Sequence, residues 1–203
     1  PGQEHPKVLS YVDVLLRGAP VGKSVAVVGA GGIGFDVAEF LVHGERTKGA
    51  DGPDLATWMR EWGVTDPEVE PGGVTKPRPE PPARKVYLLQ RKKTRPGAGL
   101  AKTTGWIHRA ALKMKDVEMI AGARYDRVDD RGLTVSFGEK GERTRLLEVD
   151  NVVLCTGQEP LRELEAPLRA AGVKVHLIGG ADVAAELDAK RAIEQGTRLA
   201  ASL

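Results

Sequence analysis

Apolar and polar positions alternate along this chain in a way that predicts short buried strands separated by amphipathic helices. From His5 to Arg17 the apolar positions Val8, Tyr11, Val12 and Leu15 recur at helical spacing, and Gly18-Ala19-Pro20 ends the run. Residues 24–29 are a β-branched apolar strand, and Gly34 to about His43 is helical. A stretch from Gly49 to Ala83 is rich in Pro and Gly; within it Leu55–Trp62 has the spacing of a short helix, while Glu70–Pro82 is too proline-rich for regular structure. A second strand follows at 85–90. A helix runs from Thr104 to about Met114, with Thr103 or Thr104 as its cap, and a third parallel strand spans Val117–Ile120. Three strand-like pieces, Ala123–Val128, Leu133–Phe137 and Thr144–Leu147, are joined by turns at Asp129–Gly132 and Gly138–Gly141, the pattern of an antiparallel meander. Asn151–Cys155 and Val175–Ile178 read as further buried strands, and a final helix covers about Val183 to Ala200. The fold class expected is α/β: a parallel sheet with helices, carrying a three-stranded antiparallel meander.

The chemistry-bearing feature lies behind the first of these central strands. Gly29-Ala30-Gly31-Gly32-Ile33-Gly34 has the spacing G-x-G-x-x-G between strand and helix. That order places a pyrophosphate on the free N–H groups of a helix N-terminus. Gly29 allows the sharp turn, Gly31 lets the backbone approach phosphate, and Gly34 lets the helix pack on the strand. Gly97-Ala98-Gly99-Leu100-Ala101-Lys102-Thr103 looks like a second phosphate loop but has Ala101 where glycine is required before the lysine.

The end of the second strand decides which dinucleotide is read. An acid there bonds the ribose 2′-OH of NAD or FAD. Here Lys85-Val86-Tyr87-Leu88-Leu89-Gln90 runs into Arg91-Lys92-Lys93-Thr94-Arg95. Cations stand where a 2′-phosphate would sit, and Arg grips phosphate bidentately. This argues for NADP(H), with Gln90, Arg91 and Lys92 at the site, and against FAD in this half-site. In a compact βαβ unit the deciding residue lies about twenty residues past the glycines; here residues 49–83 form an excursion in between.

Composition narrows the class. The 203 residues carry a formal net charge of only +2, which gives no case for nucleic-acid binding. There is no apolar run of membrane-spanning length and no signal peptide. Cys155 is the one cysteine, so a reducing, cytoplasmic compartment is expected. His5, His43, His108 and His176 lack metal-ligand spacing and are read as structural, with no metal expected. Trp106 and Arg109 are read as helix-face packing residues, and no catalytic residue is assigned. Opening on Pro1-Gly2 without Met, the sequence is expected to be a piece of a longer protein.

Strands and helices interrupted by a meander, then strand-Thr156-Gly157, resemble the dinucleotide domains of two-domain flavoprotein reductases, which implies an α/β, Rossmann-like FAD/NAD(P)-binding three-layer fold, a parallel sheet with a three-stranded antiparallel meander. Val175-His176-Leu177-Ile178-Gly179-Gly180-Ala181-Asp182 resembles the closing FAD motif of those enzymes, departing from its Gly-Asp by the inserted Ala181. The resemblance implies that Asp182, beside Gly180, meets the flavin ribityl chain and that the next helix points at the isoalloxazine.

More narrowly, a set of segments in this order resembles the bacterial iron–sulfur flavoenzymes of the NADPH-dependent 2,4-dienoyl-CoA reductase family. They are His5–Tyr11, Gly29–Phe35, Leu89–Lys92, Lys102–Arg109, Val149–Val153, Gly157–Pro160 and His176–Gly196. The likeness covers nearly the whole chain and is weakest in the proline-rich insertion. It implies that the chain corresponds to the C-terminal third of such an enzyme, with the front of the FAD site and a TIM barrel bearing FMN and a 4Fe-4S cluster lying upstream. NADPH would reduce FAD, the cluster would pass electrons to FMN, and FMN would reduce a dienoyl-CoA of fatty-acid β-oxidation. One cysteine cannot ligate that cluster. The same resemblance adds Thr156 and Gly157 to the cofactor-binding set.

The domain reading is a helical lead-in from the FAD domain at 1–20, an NADP(H)-binding domain at 21–157 with its insertion at about 45–84, and a return to the FAD domain at 158–203. Expected partners are NADPH and the absent FAD and TIM-barrel domains, with neither nucleic acid nor membrane. Two alternatives stay open: a stand-alone NADP(H)-binding module without catalysis, and the matching domain of a related flavoprotein dehydrogenase that has lost nicotinamide binding.

Overall fold

The computed structural model describes residues 1–43, 54–138, 141–184 and 189–203. The front of the insertion, the centre of the 138–141 turn and the start of the final helix lie outside these residues. The described residues form two compact units, Pro1–Cys155 and Thr156–Leu203.

In the first unit the elements run β1 (Val8–Ser10), α1 (Tyr11–Leu15), β2 (Ser24–Val28), α2 (Gly32–His43), α3 (Leu55–Trp62), β3 (Lys85–Leu89), α4 (Gly105–Met114), β4 (Glu118–Ile120), β5 (Arg124–Asp129), β6 (Gly132–Phe137), β7 (Arg143–Leu147) and β8 (Asn151–Leu154). Five strands form a parallel sheet in the order β1-β8-β2-β3-β4, and β5-β6-β7 form a separate antiparallel sheet.

The alternation of side chains along a strand builds the layers. Val25 and Val27 of β2 and Val86 and Leu88 of β3 pack with Phe35, Val37, Leu41 and Leu112 of α2 and α4. The intervening Ala26, Val28, Tyr87 and Leu89 pack with Leu133, Val135 and Leu147 of the meander. The parallel sheet is therefore covered on both faces, helices on one and the meander on the other, which is why its central strands are apolar throughout. Each fully buried Val, Leu or Phe contributes about 1.5–3 kcal/mol.

Three local expectations are corrected. The helix read over His5–Arg17 is split: Val8–Ser10 is an edge strand paired with β8, and only Tyr11–Leu15 is helical. Ser10 starts the helix late, because its hydroxyl accepts from the Asp13 N–H at 3.1 Å while the Asp13 carboxylate accepts from the Ser10 N–H at 2.9 Å. The lead-in thus joins the sheet of the first unit. Thr104 occupies the cap position of α4 but makes no side-chain cap bond; Gly105 N–H donates to Ala101 O at 2.8 Å instead. The stretch 70–82 holds one 3-10 turn, Pro71–Gly73, and Val64 and Val74 form an isolated antiparallel bridge.

The insertion is tied to the unit by a buried ion pair. Lys115 Nζ donates to Glu61 Oε1 at 2.6 Å and to Glu80 O at 3.0 Å, and the Glu80 N–H donates to the same Glu61 oxygen at 3.1 Å. Burial would raise the Glu61 pKa, but the bonds from Lys115 and Glu80 together hold it below the usual carboxylate range.

The second unit holds α5 (Glu165–Ala170), a 3-10 turn at Gly179–Ala181 and α6 (Ala189–Ala200). Among its described residues only Gly179 is buried. The strand expected at Val175–Ile178 is not formed: Ile178 is extended, at φ −137° and ψ 160°, but no described strand lies beside it to complete a ladder. Among the described residues no helix is long and apolar enough to cross a membrane.

Candidate functional site

The glycine loop is built by the end of β2 and the start of α2. Gly29 has φ +113°, a backbone state that side-chain-bearing residues rarely adopt, and its N–H donates to Leu89 O of β3 at 2.8 Å. A Cβ on Gly34 would lie 1.7 Å from Gly29 O and 3.5 Å from Leu88 Cδ1, so α2 approaches the turn only because Gly34 has no side chain. A Cβ on Gly31 or Gly32 would meet nothing within 4 Å, and both residues are exposed. Helical bonding to this turn begins with Phe35 N–H to Gly31 O at 3.1 Å, so the N–H groups of Gly32, Ile33 and Gly34 precede it. No carboxylate stands in the first turn of α2. An open cradle of backbone N–H groups at an uncompensated helix N-terminus fits a pyrophosphate.

Register brings the end of β3 beside this loop, since Val28 pairs with Leu89. Gln90 turns its amide onto the chain that follows, donating from Nε2 to Lys92 O at 3.1 Å and to Thr94 O. Gly122 N–H donates to Lys92 O at 3.0 Å, and Ala123 N–H to Gln90 O at 3.1 Å. Gln90 therefore shapes the basic turn. Arg91, Lys92, Lys93 and Arg95 are all exposed, and none forms an ion pair with a carboxylate among the described residues. The charge of Arg91 acts on the phenol of Tyr125, whose pKa burial pushes up to about 12. Tyr125 borders the turn through the tertiary fold and carries no sequence signal of doing so.

Further along, Arg109 Nη1 donates to Gly97 O at 2.9 Å and so pins the loop before α4. Trp106 departs from the packing role expected of it: it is 58% exposed, with its indole N–H satisfied by Thr103 O at 3.0 Å. Its place in the first turn of α4, immediately behind Gly105, was the one signal that could have set it apart. His108 Nδ1 lies 3.3 Å from Glu39 Oε2, His43 Nδ1 bonds Glu39 O at 2.8 Å and His5 Nε2 bonds Asp130 at 3.2 Å. His176 is exposed. Among the described residues no three His, Cys, Asp or Glu side chains converge. Cys155 follows β8 directly and is half-buried, and desolvation pushes its thiol pKa up to about 12.

In the second unit Thr156 and Gly157 are exposed, and Gly157 has φ +80° with open space at its Cβ position. Gly180 lies within the 3-10 turn and Asp182 caps it. Gln195 of α6 organises this corner: its Oε1 accepts from the Gly179 N–H at 2.6 Å and its Nε2 donates to Asp182 Oδ2 at 3.0 Å. Arg162 Nε donates to Ala181 O at 2.7 Å. One Asp182 oxygen is thus engaged within the unit.

Solved structures share this fold across almost the whole chain. The 2-naphthoyl-CoA reductase in complex with 2-naphthoyl-CoA is matched over 96% of this chain and 23% of its own, with a TM-score of 0.64 and 16% identity. The 6-hydroxypseudooxynicotine amine oxidase of Pseudomonas geniculata N1 is matched over 98% and 24%, with a TM-score of 0.65 and 21% identity. The histamine dehydrogenase of Rhizobium sp. 4-9 is matched over 97% and 26%, with a TM-score of 0.57 and 17% identity. The chain spans about a quarter of the length of these proteins. Residues 4–191, covering the glycine loop, the basic turn, the meander and the Asp182 corner, match the family described as pyridine nucleotide-disulphide oxidoreductase. These oxidoreductases bind flavin and pyridine nucleotide, and this chain belongs to their family.

Proposed function

We propose that this chain is the NADP(H)-binding portion of a 2,4-dienoyl-CoA reductase, delivering reducing equivalents from NADPH to FAD. The observation that carries the choice of NADP(H) is the set of exposed cations after β3, none of them paired with a carboxylate among the described residues. Unpaired guanidinium and ammonium groups at that strand end suit a 2′-phosphate, whose charge they neutralise, more than a bare ribose hydroxyl, which carries none. The order of motifs along the chain, from His5–Tyr11 to His176–Gly196, supports the dienoyl-CoA assignment.

In this reading Gly29 forms the turn, and the N–H groups behind Gly31, Gly32 and Ile33 hold the pyrophosphate while Gly34 keeps α2 close. Gln90 shapes the turn from which Arg91 and Lys92 take the 2′-phosphate. Thr156 and Gly157 border the nucleotide; Gly180 and Asp182 belong to the FAD half-site. The domains are the lead-in at 1–20, the NADP(H) domain at 21–157 with its insertion at about 45–84, and the return at 158–203. NADPH supplies a hydride when bound; the residues of this chain bind and orient it, and none acts as acid or base. FMN and a 4Fe-4S cluster belong to other domains of the enzyme.

A second reading, an NADP(H)-binding module without catalysis, draws on one observation: β1 pairs with β8, so the first unit closes its own sheet. Against it, the second unit has almost nothing buried and is suited to completing another domain.

Calorimetric titration with NADPH and NADH tests the proposal. NADPH should bind more tightly, and Arg91→Ala should weaken NADPH by about tenfold or more, the weight of one charge-assisted phosphate contact, while leaving NADH unchanged. Equal affinities for the two nucleotides would refute it.

A further inference from the structure

The insertion between α2 and β3 carries an open surface cleft of about 390 Å³, most of whose lining residues are exposed. It lies away from the glycine loop. The loop is at the carboxyl end of β2, whereas the insertion leaves the C-terminus of α2 and returns to the amino end of β3, where Ala83 N–H donates to Val42 O at 2.8 Å and Lys85 N–H to Lys23 O at 2.8 Å. The two places are at opposite ends of the central strands.

The cleft is held by the backbone. Asp54 caps α3 by accepting from the Thr57 N–H at 3.1 Å, and Gly63 ends it at φ +67°. Thr75 N–H donates to Gly63 O at 2.8 Å, Thr65 N–H to Gly73 O at 3.0 Å and Arg78 N–H to Arg60 O at 3.0 Å. Glu61, buried on α3, is anchored to Lys115 at the foot of α4. Such a frame loses little entropy on binding.

Its lining has two characters. Ala56, Met59 and Val64 form an apolar wall. Arg60, Lys76 and Arg78 supply three cations, and the hydroxyls of Thr65 and Thr75 add donors. Arg60 is shared with Glu80, Nη2 to Oε1 at 3.3 Å, whereas the side chains of Lys76 and Arg78 have no partner among the described residues. Arg60 faces both Glu80 and Asp54, and Lys76 and Arg78 remain as two cations without a carboxylate partner among the described residues, beside an apolar surface.

We propose that this cleft is a second ligand site, for a small phosphate monoester with an apolar body. The phosphate carries close to two negative charges at neutral pH; Arg78 offers it a bidentate fork and Lys76 a point charge. The apolar body covers Met59 and Val64. The site stands apart from the dinucleotide reading and does not depend on it.

Phenyl phosphate, inorganic phosphate and phenol serve as probes for calorimetry on the full 203-residue chain. Phenyl phosphate should bind most tightly, inorganic phosphate more weakly and phenol least. Lys76→Ala and Arg78→Ala should each weaken phenyl phosphate by about tenfold or more. Glu80→Gln, which removes a competing carboxylate, should tighten it by up to about fivefold. Arg91→Ala and saturating NADPH should leave it unchanged. Circular dichroism checks that the variants fold; their exposed side chains bury no core surface. Binding that survives Lys76→Ala and Arg78→Ala, that NADPH displaces, or that treats phenyl and inorganic phosphate alike would overturn the proposal, as would no binding at millimolar probe.

Discussion

Gly31 and Gly34 are three residues apart in one loop, yet substitution should break different properties. In Gly34→Ala the new methyl would lie 1.7 Å from Gly29 O, about half an ordinary van der Waals distance. Opening that gap means moving α2 or rotating the turn whose Gly29 N–H is bonded to Leu89 O. Overpacking of this kind costs about 1–3 kcal/mol, and losing the Gly29 bond about another 1. The gain in helix propensity from Gly to Ala offsets about 1. A net loss near 2 kcal/mol lowers the melting temperature by roughly 4–8 °C for a chain of this size. In Gly31→Val the Cβ meets nothing within 4 Å and φ is not positive. Its cost is confined to a poorer cap, about 1 kcal/mol or less. Its side chain would nevertheless fill the space over the α2 N-terminus and should weaken NADPH by more than about tenfold. Thermal melts followed by circular dichroism, paired with NADPH titration, separate the two effects. A Gly34→Ala protein that melts with the wild type would refute the packing argument, and a folded Gly31→Val protein that binds NADPH at full strength would put the phosphate loop elsewhere.

Lys115→Met should destabilise the chain by about 3 kcal/mol, because Glu61 is left buried without its cation; a urea titration measures it. The Glu61 pKa is depressed in the folded state, so the contribution of the pair is present above the ordinary value of 4.5 and fades as pH falls through the folded value. In Lys115→Met burial raises that pKa instead, so the deficit against the wild type should shrink on acidification; a gap constant from pH 7 to pH 4 would contradict this. Cys155 should react slowly with a disulfide reagent at pH 8 in the native chain and give one equivalent once unfolded; rapid native labelling would contradict its burial. The proposed assignment of the Gly29–Gly34 loop to NADP(H) and of Asp182 to an FAD half-site predicts a colourless purified chain; flavin near one equivalent would mean that the Gly29–Gly34 loop holds FAD.

What could be read from the sequence was local. β2, the glycine turn and α2 follow one another within a few residues, and the meander declares itself through Asp129–Gly132, where Asp129 pairs with Gly132 as the hairpin requires. The basic run after β3 was visible because strand and cations are contiguous. What escaped was set by partners far along the chain. Val8 shares a helical spacing with Tyr11, Val12 and Leu15, and only a strand at 151–154 makes it β. Val175–Ile178 has the composition of a strand without a neighbour to pair with. Glu61 and Lys115 are polar residues in unremarkable surroundings, and their union across 54 positions leaves no mark on either segment.

The placing of β1 has a temporal consequence. Its one neighbour in the sheet is β8, with Val8 opposite Val152, and Lys7 is bonded to Val149 O and to the N–H of Val152 across more than 140 residues. During synthesis the strand made first can be paired only after the meander and β8 have left the ribosome. The loop it closes is the longest in the sheet, and closure entropy grows with that length. Until then β8 is an open edge, and among the described residues the three-residue β1 is the strand that pairs with it on that side. Any delay in docking β1 after β8 has joined β2 would leave that edge of β8 open to pairing with another chain.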